Sequence, residues 1–73
     1  VDVRLVLKTA LEFGALGLIL VHNHPSGTLK PSKPDRDITQ KLKLAASHLD
    51  IKVLDHLIIT EKEYLSFADD GIL

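Results

Sequence analysis

Two histidines and an aspartate stand close enough in this chain to share one metal ion. The stretch His22-Asn23-His24-Pro25-Ser26-Gly27-Thr28-Leu29-Lys30-Pro31-Ser32-Lys33-Pro34-Asp35 reads His-x-His, seven residues, Ser, two residues, Asp. A structural zinc site takes four protein ligands, usually with cysteines among them, whereas a catalytic one keeps three and leaves the fourth position to water. Donors His22, His24 and Asp35, in a chain with no cysteine, predict the open type. Zinc is the expected metal, and the same donor set also suits iron or manganese. Water on such an ion ionises near pH ~7 and becomes a nucleophile. Ser32 is then the candidate hydroxyl donor to that water or to a developing oxyanion.

The elements on either side must bring these groups together. Gly17-Leu18-Ile19-Leu20-Val21 is an unbroken apolar run, which predicts a strand buried on both faces, with the histidines at its carboxyl end. In extended backbone alternate side chains share a face, so His22 and His24 project together. Pro25, Gly27, Pro31 and Pro34 punctuate the loop that follows and let it fold back towards the pair. Asp35 to Leu49 reads as an amphipathic helix with Ile38, Leu42, Ala45 and Leu49 on one stripe, Ser32 as its N-cap and Asp50 as its left-handed end. Asp2 to Phe13 is a first amphipathic helix ending near Gly14, which puts Glu12 on its solvated side. Ile51 to Thr60 is the second strand, so the middle of the chain is a strand, helix, strand unit with a parallel pair. Tyr64 and Phe67 are expected to anchor a short tail. The predicted class is α/β, in the order helix, strand, loop, helix, strand.

With these residues in view, the chain resembles the JAMM motif of MPN-type metalloproteases, and more narrowly the RadC family of bacterial proteins. The resemblance extends to Asp55-His56-Leu57-Ile58-Ile59 and to the carboxyl-terminal Tyr64 to Leu73, and so covers nearly the whole chain. It implies the carboxyl-terminal part of a three-layer αβα domain of the JAB/MPN, cytidine-deaminase-like kind. It also implies metal ligands at His22, His24 and Asp35, a serine assisting the tetrahedral intermediate at Ser32, and hydrolysis of an amide or peptide substrate. The family's general base is a glutamate well upstream of the histidine pair. The only glutamate before His22 is Glu12, in a helical pattern, and the role is not carried onto it.

The whole of residues 1–73 is expected to form one domain, and two strands are too few for an independent sheet. Further strands are therefore expected upstream, or from a second copy of the chain as a homodimer, and the absence of an initiator methionine fits an amino terminus cut from a longer protein. Net charge is −1 with scattered basic residues, so a nucleic-acid footprint is not supported. No apolar stretch is long enough for a membrane span, and the expected location is the cytoplasm. The alternative functions are a non-catalytic MPN-type binding or assembly module and, from the family's association with DNA repair, an accessory role on DNA. His-Asn-His is not the nuclease arrangement of that name, and a zinc deaminase would need His-x-Glu and Pro-Cys-x-x-Cys, which are absent. Ser32 with Asp35 also fits a plain capping box, and Lys30, Lys33 and Arg36 a solvated loop. His48 is expected at the surface near a helix end. Asp55 and His56, adjacent on a strand, are expected to face opposite sides, as core polar groups or as a partner to a metal histidine.

Overall fold

The computed structural model describes residues 1–73, in the order α1 (Val3–Glu12), β1 (Gly17–Asn23), α2 (Lys33–Ser47), β2 (Lys52–Ile59) and β3 (Tyr64–Ser66). The mixed α/β class and the helix, strand, helix, strand order agree with a JAB/MPN fragment. The sheet order is β1-β2-β3, with β1 and β2 parallel and β2 and β3 antiparallel. The expected tail is thus partly a strand, because Tyr64, Leu65 and Ser66 pair with Ile59, Ile58 and Leu57.

Each helix begins on a polar cap. Asp2 accepts from the Arg4 N–H at the start of α1, and a left-handed Gly14 with φ 63° follows its end. Ser32 caps α2, whose first turn holds Pro34, so the helix opens two residues earlier than its apolar stripe suggests. At the far end Asp50 takes φ 58°, and the Ile51 N–H returns to the Ala46 carbonyl. The chain thereby reverses straight into β2.

Both helices lie on one face of the sheet. Val3 and Ala10 from α1, Leu42 and Ala46 from α2, and Ile51 and Val53 from the second strand region form the core, flanked by Leu18 and Leu20 of β1. Leu42 is wholly buried, worth about 1.5–3 kcal/mol in transfer from water. The second face of β1 is not covered, and here the expectation of a strand buried on both sides fails. Ile19 is 53% and Val21 61% exposed, because no layer packs against them and the strand has no partner on its outer edge.

Pairing between β1 and β2 is interrupted once. Leu18 lies opposite Val53 but Ile19 lies opposite Asp55, so Leu54 is an extra residue in β2. It lies over Gly17, where an added Cβ would sit 3.1 Å from the leucine Cδ1. The bulge lets Val53 and His56, three positions apart, both turn towards the helices and become buried.

Candidate metal centre

His22 is the penultimate residue of β1, opposite Ile58, and His24 follows the strand with its N–H still bonded to the Ile59 carbonyl at 2.9 Å. Extended geometry therefore persists through Asn23 and sends both imidazoles to the helix-bearing face. Their rings meet edge to face with centroids 4.5 Å apart. Opposite them stands Asp35, third residue of α2 and 4% exposed.

The Asp35 carboxylate does two things at once. Its Oδ2 accepts from the Ser32 N–H at 2.8 Å while the Ser32 hydroxyl accepts from the Asp35 N–H at 3.1 Å, closing a capping box. The same carboxylate has Oδ1 2.8 Å from His22 Nδ1 and Oδ2 3.3 Å from His24 Nε2. The structural and the chemical readings of Ser32 and Asp35 are thus not rivals. One ligand atom from each of His22, His24 and Asp35 falls within 4.8 Å of the others.

The state of His24 follows from its surroundings. Its Nδ1 lies 3.0 Å from the Thr28 carbonyl, which can only accept, so Nδ1 carries the proton. A neutral His24 then points the bare lone pair of Nε2 at a carboxylate oxygen, and two acceptors face each other across 3.3 Å. A cation between them, a proton or a metal ion, resolves the conflict. Burial pushes the Asp35 carboxyl up, but hydrogen bonds from Ser32 and the nearby His22 and His24 outweigh it and leave the group below its usual range. Asp35 is accordingly ionised at neutral pH, and the donor set fits a divalent ion.

Ser32 itself is exposed; its oxygen is occupied as an acceptor, and its proton remains free to donate. Glu12 lies on the solvent side of α1 with its carboxylate 3.7 Å from Lys8 Nζ, away from the histidines. The centre opens on a cavity of about 530 Å³ lined by His22, Pro34, Asp35, Ile38, Lys41 and His56, among others. His48 caps α2 at the surface.

Asp55 and His56 do face opposite sides. Asp55 accepts from the Ser66 hydroxyl, the Ala68 N–H at 2.9 Å and the His56 N–H at 2.7 Å, fastening the carboxyl-terminal segment to β2. His56 is buried, stacks on Phe67 at 4.4 Å and 20°, and lies parallel to His22 at 6.1 Å. Its Nδ1 is 2.5 Å from the hydroxyl of Thr39. Thr39 escaped sequence reading. The available signal was its place one helical turn after Asp35, on the same face.

Residues 1–72 match the family described as the RadC-like JAB domain. Similar proteins include one named UPF0758 protein from Flavobacterium johnsoniae, 65% identical over 72 residues, which are 99% of this chain and 31% of that protein. A UPF0758 protein from Nitrosococcus oceani is 54% identical over 70 residues, 96% of this chain and 31% of that protein, and one from Porphyromonas gingivalis is 48% identical over 73 residues, 99% of this chain and 32% of that protein. The chain therefore spans about a third of the length of the curated relatives it matches. Match and motif coincide along the chain, which belongs to the RadC-like JAB domain family.

Proposed function

We propose that this chain carries the metal centre of a zinc-dependent metallohydrolase that cleaves amide bonds in the manner of a metallopeptidase. The observation behind it is the convergence of one donor atom from each of His22, His24 and Asp35 within 4.8 Å, with His24 Nε2 turned to the Asp35 carboxylate at 3.3 Å, an arrangement that a divalent cation would stabilise. His22 and His24 supply neutral nitrogen donors and Asp35 the anionic oxygen. Zinc held there supplies Lewis acidity and water ionised near neutral pH. Ser32, with its proton free, donates to the oxygen of the substrate carbonyl as charge builds on it.

No glutamate lines the cavity shared by His22 and Asp35, and the proton is taken by a group outside residues 1–73, a glutamate by resemblance to the family. The free edge of β1 and the apolar groove beside it, lined by Leu5, Phe13, Ile19 and Val21, receive the upstream strands that carry this group. Residues 1–73 are accordingly the carboxyl-terminal part of one domain and inactive alone, with a peptide or another amide as the substrate of the whole.

Titration calorimetry with zinc tests the centre without requiring turnover. The unaltered protein is expected to bind one zinc per chain, and His22→Ala with His24→Ala to bind none at that site. Equal uptake by the double variant would refute the assignment.

A further inference from the structure

The proposal that follows rests on the metal-centre reading and adds to it residues that do not ligate. Thr39, on α2, and His56, on β2, are both buried, and neither belongs to the donor triad. The Thr39 hydroxyl lies 2.8 Å from the main-chain carbonyl of Asp35 and 2.5 Å from His56 Nδ1. A carbonyl can only accept, so the single hydroxyl proton goes to Asp35, and the contact with His56 requires the imidazole to donate. His56 is thereby the tautomer protonated on Nδ1, with a bare Nε2. That nitrogen has no protein partner yet is not sealed in, and the residue lines the cavity shared with His22 and Asp35.

The consequence is positional. His22 and His24 ride on β1 and its carboxyl end and Asp35 on the helix, so the centre exists only while the first turn of α2 keeps its place over the sheet. Ser32 fixes Asp35 within the helix, but it is the Thr39 hydroxyl that ties that turn to β2, and its partner His56 is held between the rings of His22 and Phe67. We propose that Thr39 and His56 form a positioning pair for the metal centre: the threonine fixes the Nδ1–H tautomer of His56, registers Asp35 against the two histidines, and leaves the His56 Nε2 open on the cavity as an acceptor for a neutral N–H or O–H donor bound beside Asp35.

Two measurements test the pair. Long-range proton–nitrogen correlation NMR on the unaltered protein reads the His56 tautomer directly and needs no variant. Protonated Nδ1 and bare Nε2 are expected, and protonation on Nε2 instead would overturn the proposal. In zinc calorimetry, Thr39→Val is expected to weaken binding about 10-fold, within the range found when groups supporting metal ligands are removed, and Thr39→Ser to restore it. If Thr39→Val does not fold, His56→Phe, which keeps the stack on Phe67 but cannot donate, is expected to weaken zinc equally. A folded Thr39→Val or His56→Phe that binds zinc as tightly as the unaltered protein would sink the positioning pair alone. No zinc uptake by the unaltered protein would sink the metal centre and the pair with it.

Discussion

Asp35 and Asp55 are both shielded, both accept main-chain N–H groups, and both titrate below the usual carboxylate range, yet their surroundings differ in kind. At Asp55, burial raises the carboxyl, and donation by Ser66, Ala68 and His56 more than offsets it. Every group facing Asp55 brings its own proton. Asp35 is also capped by Ser32, but on its other side it meets imidazoles, one of which turns its Nδ1 to the Thr28 carbonyl. A carboxylate whose neighbours all donate is satisfied; one that faces a ring nitrogen 3.3 Å away with no fixed donor between them can take a proton or a metal ion there. The difference separates a fastening from a binding site more surely than burial or charge does.

Exchanging each carboxylate for its amide puts the contrast to the test. Asp35→Asn is expected to reduce zinc affinity at least about 100-fold, because it removes the anionic ligand itself. The matching change, Asp55→Asn, should leave zinc binding within a few-fold while costing about 2 kcal/mol in urea unfolding, since its bonds to a charged acceptor are lost. If both substitutions weakened zinc alike, the distinction would collapse.

Acid should act on the two sides of β2 in different windows. The folded-state pKa of His56 is lowered from 6.5, so its contribution is complete above that value and is lost as pH falls below it, when the unfolded chain takes up the proton more readily. Asp55 is lowered from 3.8 and keeps its contribution until pH falls below that value. Stability followed without metal from pH 8 to 3 should therefore fall in two stages, and His56→Phe should abolish the upper one. The smallest effect belongs to Ser32→Ala, expected to cost about 1 kcal/mol as a lost N-cap. Its zinc affinity should fall less than that of Asp35→Asn, as thermal melts and calorimetry can compare.

What was legible in the sequence was whatever depends on near neighbours. Alternation along β1 placed His22 and His24 together, Ser32 announced the start of α2, and Asp50 announced its end. β3 was missed because three residues carry too little pattern, and Tyr64 to Ser66 form a strand only because β2 lies beside them. The exposed side of β1 was misjudged because an apolar run states what a strand requires and not whether these residues supply it. The link between Thr39 and His56 joins positions 17 apart through a tertiary contact, and no local spacing encodes that.

The irregularity at Leu54 has a bearing on how this chain tolerates change. A regular β2 that counted Leu54 in its alternation would send Asp55 towards the helices and His56 to the outside, inverting everything downstream of Val53. Leu54 acts like a spacer letter in a reading frame. Its loss would leave the partners of Val53 and Asp55 as they are, whereas gaining or losing a residue between His56 and Ile59 would turn the rest of the strand over.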